Sequence, residues 1–158
     1  MQSEVKNYLL SRGKAPLDYV LGKFEDHDIV LLGEMHYIRQ QVEFYHRLIP
    51  LLPEHGITLF ATEFGRREDQ ALIDELLGKK EFDVALAKRI MLHQEAFWGY
   101  REYLDIYRLI WEQNRKNSPD RQIRCIGLND PYNWRLYNKI CREQKRKPNA
   151  EEVKVIWK

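Results

Sequence analysis

Three short apolar runs along the chain, at residues 29–32, 57–62 and 123–128, are predicted to be β-strands. The first is rich in β-branched residues, is apolar on both alternating faces and ends at Gly33, which is typical of a strand buried within a parallel sheet. Apolar residues at helical spacing follow it and end near Pro50. Because a strand, a helix and a second strand fit within about thirty residues, they predict a βαβ unit with a right-handed crossover.

Helical periodicity predicts most of the remaining elements. Amphipathic helices are expected at 69–77, 83–92, 100–114 and 132–147, and Asn149 is the expected N-cap of a last helix. The predicted fold class is α/β, a three-layer, mostly parallel sheet flanked by helices, in a single domain over residues 1–158. Three strands are few for such a sheet. We therefore expect an N-terminal portion of the fold, with the rest absent from this chain or supplied by another, such as a second copy in a homo-oligomer.

The composition is that of a globular protein, with 44% hydrophobic and 32% charged residues in a chain of 158. No run of apolar residues is long enough for a membrane span, so no membrane partner is expected. The first residues lack the basic-then-apolar order of a secretory signal. The two cysteines, Cys125 and Cys141, are not in a C-x-x-C pair, which excludes a disulfide framework. A cytoplasmic location is therefore predicted.

Polar side chains follow each of the three predicted strands. Glu34 and His36 follow the first, Glu63 the second, and Asn129 and Asp130 the third. Since the carboxyl ends of parallel strands meet at one edge of a sheet, where ligands bind in α/β folds, we expect these side chains to share a cleft.

Two carboxylates beside an imidazole are suited to proton transfer. His36 is the expected general base, held by Glu34 or Glu63, and would remove a proton from water or an alcohol. The same groups could instead hold a metal ion, although one histidine is a thin ligand set for zinc. The structural alternative is that the glutamates cap helices and His36 is an ordinary loop residue.

Other polar groups are weaker candidates for the cleft. Arg66 follows the second strand and could bind an anionic part of a small-molecule substrate. His93 could point into the cleft or simply end a helix. Basic residues outnumber acidic ones from residue 121 onwards, and aromatic residues lie among them. Helical spacing explains that segment as one packed and one solvated face, so no nucleic-acid partner is predicted.

Several segments, in order over residues 28–134, resemble the erythromycin-esterase-like and ChaN-like (haem-binding uptake) superfamily. The first ends in Gly-Glu with a nearby His, at Gly33, Glu34 and His36, and the second ends at Glu63. The resemblance continues through Phe97-Trp98, Glu102, Leu104-Asp105, Trp111 and Asn114, and then through Ile126-Gly127-Leu128-Asn129-Asp130.

The resemblance implies an α/β fold and two alternative functions. The esterase branch hydrolyses macrolide lactones with the strand-end histidine as general base, a role that falls on His36 with Glu34 and Glu63 beside it. The short Gly-Glu-x-His spacing is closer to the ChaN-like branch, whose members bind haem. In that case His36 or Tyr37 would be the axial ligand. A third hypothesis is an inactive fragment of either type.

Overall fold

The computed structural model describes residues 2–93, 99–130 and 132–156. Its regular elements are eight α-helices and two β-strands. In chain order they are α1 (Gln2–Arg12), α2 (Pro16–Lys23), α3 (Arg39–Leu48), β1 (Leu59–Arg66), α4 (Gln70–Gly78), α5 (Val84–His93), α6 (Arg101–Lys116), β2 (Arg124–Asn129), α7 (Trp134–Gln144) and α8 (Ala150–Ile156). Short 3₁₀ helices lie at Ile49–His55, Arg67–Asp69 and Pro119–Arg121. Within the described ranges, no helix is both long enough and apolar enough to cross a membrane.

The two strands form a parallel sheet flanked by helices, which confirms the predicted α/β class. Leu59 lies opposite Arg124 at one end of the register, and an irregularity precedes the pairing of Arg66 with Asn129. The two backbones come very close there. A Cβ atom on Gly127 would lie 2.5 Å from the carbonyl oxygen of Arg66, so this position accepts only glycine without a backbone shift.

One face of the sheet packs on the helical core and the other is largely exposed. Thr62, Phe64 and Cys125 are buried, whereas Leu59 and Leu128 are exposed. The core lies between the buried face and the helices. Its fully buried side chains include Ile73 and Leu76 of α4, Ile90 of α5, and Ile106, Tyr107 and Ile110 of α6.

The prediction of a first strand at 29–32 is wrong. These residues are not paired with β1 or β2, and the side chains of Ile29 and Leu31 are 74% and 89% exposed. Only Val30 packs against the core. The segment lies beside α3, where residues 31–33 line a depression together with Phe44 and Tyr45. An apolar run can be recognised in the sequence, but a strand also has to pair with a neighbour, and this segment pairs with neither β1 nor β2.

The other predicted elements are present, with shifted ends. The second and third predicted strands are β1 and β2, and β1 extends four residues beyond its predicted end. The helices predicted at 69–77, 83–92, 100–114 and 132–147 correspond to α4, α5, α6 and α7. Asn149 caps α8 as predicted, because its side chain accepts hydrogen bonds from the backbone amides of Glu151 and Glu152. Helices α1 and α2 are additional to the prediction.

Contacts between α3 and α6 fix the position of the loop that precedes α3. A nitrogen of the His46 ring lies 2.7 Å from the carbonyl oxygen of Glu102. Arg39 lies between Glu43 on its own helix and Glu102 on α6, at 2.8 Å and 3.6 Å. Glu102, at the amino-terminal end of α6, therefore contacts both the first residue and the last turn of α3, and residues 34–38 lead directly into α3.

Candidate functional site

Glu34 is the central residue of the candidate site. It lies in the loop between α2 and α3, and only 9% of its side chain is exposed. The hydroxyl group of Tyr103, a buried residue of α6, donates a hydrogen bond to Glu34 Oε1. Burial, followed by this hydrogen bond, raises the pKa of Tyr103 well above its ordinary value. The phenol is therefore a permanent donor near neutral pH, and it holds the carboxylate in one position.

His36 faces the same oxygen of Glu34. Its Nδ1 atom lies 3.6 Å from Glu34 Oε1, and 43% of its side chain is exposed. This separation allows a favourable charge interaction but exceeds an ordinary hydrogen bond. A carboxylate beside Nδ1 favours the proton on that nitrogen, which leaves the Nε2 lone pair of the neutral ring available as a base.

The loop that carries this pair is fastened to α3. The backbone amide of Met35 donates to the side-chain oxygen of Gln41 at 2.6 Å, and the amide of Ile38 donates to the carbonyl oxygen of Met35. Between them, Tyr37 adopts a left-handed backbone conformation with φ of +68°. A non-glycine residue in this region is strained, and such strain is concentrated at functional sites.

Aromatic rings surround the Glu34–His36 pair. The Tyr37 ring meets the edge of Tyr100 at a centroid distance of 6.4 Å, and it also meets the His36 ring at 6.5 Å. Burial, and then the charge of Glu34, raise the pKa of Tyr45. Phe64, near the carboxyl end of β1, packs against Tyr103 at 5.1 Å. The pair therefore lies beside the carboxyl end of β1, although no strand leads into it.

The structure does not bring Glu63 into this cluster by any contact. Strand β1 continues to Arg66, so Glu63 lies within the strand and not after it. Side chains alternate along a strand, and Phe64 is buried while Glu63 is exposed on the opposite face. Among the described residues, Glu63 forms no hydrogen bond or ion pair. The expectation that it joins His36 depended on the strand ending at Thr62.

Asn129 and Asp130 lie at the end of β2, on the carboxyl edge of the sheet as expected. Asn129 is paired with Arg66 in the parallel ladder. The Asp130 carboxylate lies 3.2 Å from the guanidinium group of Arg67. Asn129 is therefore engaged with the last residue of β1 and Asp130 with the residue that follows it, and no contact between described residues joins either of them to His36.

A second histidine–carboxylate pair lies at the end of β1. His93, the last residue of α5, has its Nδ1 atom 3.0 Å from Oδ1 of the buried Asp69. Arg66 donates a hydrogen bond to the carbonyl oxygen of His93 at 3.1 Å, and its Nε atom lies 3.7 Å from Asp69 Oδ2. Arg66 and His93 are thus brought together as candidates, but by Asp69. The sequence pattern marks Asp69 only as a helix start, and an acidic residue there is too common to indicate a buried partner.

Cysteine and metal-ligand groups could also form part of the site, among the residues that the structure describes. Burial raises the pKa of the Cys125 thiol to about 12, so this residue is an inert part of the core, as predicted. In the part of the chain that the structure describes, no group of three or more histidine, cysteine, aspartate or glutamate side chains is arranged to hold a metal ion.

Comparison with known proteins adds no identity. No protein-family model matches the chain, and neither a curated protein nor a solved structure matches it.

Proposed function

We propose that this chain belongs to the erythromycin-esterase-like group and hydrolyses esters or lactones, with His36 as the general base. The observation that carries the proposal is the connected series Tyr103, Glu34 and His36. A buried phenol fixes a nearly buried carboxylate, and that carboxylate faces an exposed imidazole. This is the arrangement of a base that is oriented by a charged partner.

The reaction would begin with a water molecule beside the exposed ring of His36. His36 Nε2 removes a proton from this water while its oxygen attacks the carbonyl carbon of the ester. Nδ1 keeps its proton, and the charge of the Glu34 carboxylate, 3.6 Å away, stabilises the imidazolium that forms. When the tetrahedral intermediate collapses, the bond to the alcohol oxygen breaks, and that oxygen receives a proton. The products are a carboxylic acid and an alcohol.

The surroundings of His36 favour a substrate with apolar parts. Tyr37 presents its aromatic ring next to the imidazole and meets the ring of Tyr100, and both tyrosines are exposed. Aromatic surfaces of this kind bind the hydrocarbon portion of a ligand and leave its polar group to the catalytic residues. Macrolide lactones and long-chain esters have this character.

The haem-binding alternative finds less support in the residues present. A haem ligand needs apolar walls on both faces of the macrocycle, and among the described residues the exposed Tyr37 ring meets the rings of His36 and Tyr100, which are polar at their tips. An apolar depression beside α3 is lined by Leu31, Leu32 and Phe44, and neither His36 nor Tyr37 belongs to its lining. The described residues therefore support hydrolysis better than haem binding.

Hydrolysis of a panel of esters and lactones tests the proposal. The wild-type chain should release acid, and His36→Ala should lower kcat by about 10²-fold or more, the typical contribution of a general base. Glu34→Gln should lower it by a smaller factor because the base is kept. His55→Ala is the matched control, since His55 is exposed and its ring only contacts the Leu51 carbonyl oxygen. Equal rates for wild type and His36→Ala would refute the assignment.

A further inference from the structure

The depression beside α3 adjoins the loop that carries Glu34 and His36. Its volume is about 350 Å³, within the range of small-molecule sites. Gly33, which is part of its lining, is bonded directly to Glu34, and chain geometry keeps the Cα atoms of Gly33 and His36 within about 11 Å of each other. Gln41, another lining residue, accepts a hydrogen bond from the backbone amide of Met35, which lies between the two site residues in the chain. A covalent connection and a hydrogen bond therefore join the depression to the loop.

Apolar side chains form most of the lining. Leu31 and Leu32 are 89% and 39% exposed, and Phe44 and Tyr45 of α3 contribute aromatic surface. Leu31 buries little of its surface in the fold, so its apolar character does not serve the core. Exposed apolar side chains grouped around a depression are typical of a ligand-binding surface. An aliphatic chain that lies against them would remove both surfaces from water.

Gln41 gives the depression a polar group beside the loop. Its side-chain oxygen accepts from the Met35 amide at 2.6 Å, so the nitrogen Nε2, with its two hydrogens, is a donor. Among the described residues, Nε2 forms no hydrogen bond with an acceptor. The carboxylate of Glu34, next to Gly33 in the chain, disfavours a negatively charged ligand here. The depression therefore fits a neutral molecule with an aliphatic chain and one carbonyl oxygen, which is the acyl part of an ester.

We infer that this depression is the acyl-binding subsite of the proposed hydrolase, and that Gln41 donates a hydrogen bond to the carbonyl oxygen of the ester. The inference rests on the proposed function and names its substrate class, esters of medium-chain aliphatic acids. A volume at the lower end of the range for ligand sites favours a single chain over a macrocyclic lactone. When water attacks, negative charge develops on the carbonyl oxygen, and the hydrogen bond from Gln41 Nε2 becomes stronger.

Two p-nitrophenyl esters with the same leaving group test the apolar lining. The octanoate ester should have a kcat/KM about 30-fold or more above that of the acetate ester, because its additional methylene groups are partly buried. Leu31→Ser should lower kcat/KM for the octanoate ester by about fivefold and leave the acetate ester within about twofold. Leu10→Ser is the matched control and should change neither rate, since Leu10 is 76% exposed on α1 and does not line the depression. Equal rates on the two esters, or equal effects of Leu31→Ser on both, would overturn the subsite.

Two substitutions of Gln41 separate hydrogen bonding to the substrate from attachment of the loop. Gln41→Glu keeps an oxygen that accepts from the Met35 amide but has no nitrogen donor, whereas Gln41→Met has neither. Both variants should lower kcat for the two esters by about 10²-fold, as expected for loss of a donor to the developing charge. Agreement between them excludes the added charge of glutamate as the cause. A wild-type rate for either variant would refute the assigned role of Gln41.

A binding measurement separates the failure of this inference from that of the proposed function. Octanamide has the acyl group of the octanoate ester but no ester bond, and calorimetric titration measures its affinity. Wild type should bind octanamide at least about tenfold more tightly than acetamide, and Leu31→Ser should weaken octanamide binding by about fivefold. If wild type hydrolyses neither ester but binds octanamide in this way, the proposed function fails and the subsite stands. If octanamide binds no more tightly than acetamide, or if Leu31→Ser binds it as wild type does, the subsite is overturned.

Discussion

Tyr103 and Glu34 are joined by a hydrogen bond although sixty-nine positions separate them in the chain. This contact connects a loop with no regular structure to α6, the longest helix in the described part of the chain. It also buries a carboxylate that would otherwise be in water, so the contact determines where His36 can lie.

Removal of this hydrogen bond should destabilise the protein. Tyr103→Phe keeps the ring and its packing on Phe64 but leaves the Glu34 carboxylate without its donor. We expect the free energy of unfolding to fall by about 1–3 kcal/mol, the usual cost of an unpaired buried polar group, measured by urea denaturation. Tyr100→Phe is the control, because that ring is exposed. If both variants have the stability of wild type, the contact with Glu34 is not formed.

The close approach of the backbones of β1 and β2 at Gly127 leads to a second prediction. Gly127→Ala should destabilise the chain by about 1–3 kcal/mol, because the new methyl group would meet the backbone of Arg66 at 2.5 Å. Thermal unfolding followed by circular dichroism would measure the change. Gly22→Ala in α2 has no atom within 4 Å of its new methyl group, and it should raise stability by about 0.5–1 kcal/mol. A stable Gly127→Ala protein would mean that the strands do not approach this closely.

The exposed segment that precedes Glu34 can be tested with one substitution. Leu31→Ser should change the free energy of unfolding by less than about 0.5 kcal/mol, as expected for an exposed side chain. Val30→Ser should cost more, since Val30 packs against the core. A loss of about 2 kcal/mol or more for Leu31→Ser would show that residues 29–32 form a buried strand after all.

The amino-terminal end of α8 should respond to acid. Arg146 forms two hydrogen bonds with Glu152 and, together with the Asn149 amide, lowers the pKa of that carboxyl from 4.5 to about 2. A lowered pKa contributes stability above pH 4.5, and the contribution is lost as pH falls towards 2. Carbon NMR of the Glu152 carboxyl group should therefore give a midpoint near pH 2. Arg146→Gln should move that midpoint upwards, and an unchanged midpoint would contradict the ion pair.

The elements that could be predicted from the sequence are those whose signal is local. Helix α6 was predictable because its apolar residues recur on one face, and Asn149 because its capping pattern spans only four positions. Helix α1 is not among the predicted elements, and its apolar residues Val5, Tyr8, Leu9 and Leu10 are all exposed, so it contributes no buried face to the core. The error at residues 29–32 is of a different kind. The composition of this segment indicates a strand, but composition does not show whether a neighbouring strand pairs with it.

In the candidate site, too, contacts between residues close in the sequence could be predicted and contacts between distant residues could not. Glu34 and His36 are two residues apart, so their proximity follows from the chain itself. Asp69 and His93 are twenty-four positions apart, and they meet only because α4 and α5 pack together beside β1. Glu63 was misplaced for a simpler reason, because four further residues of strand moved it away from the end of β1.

Tyr103 and Tyr107, four residues apart on α6, fix the spacing of two hydrogen bonds that this helix donates. Each residue turns an α-helix by about 100°, so a single residue inserted between positions 103 and 107 would swing one phenol away from its acceptor while the other stayed in place. Tyr103 donates to Glu34 and Tyr107 to the carbonyl oxygen of Phe64, so a change in the length of α6 would separate these two contacts without altering either acceptor.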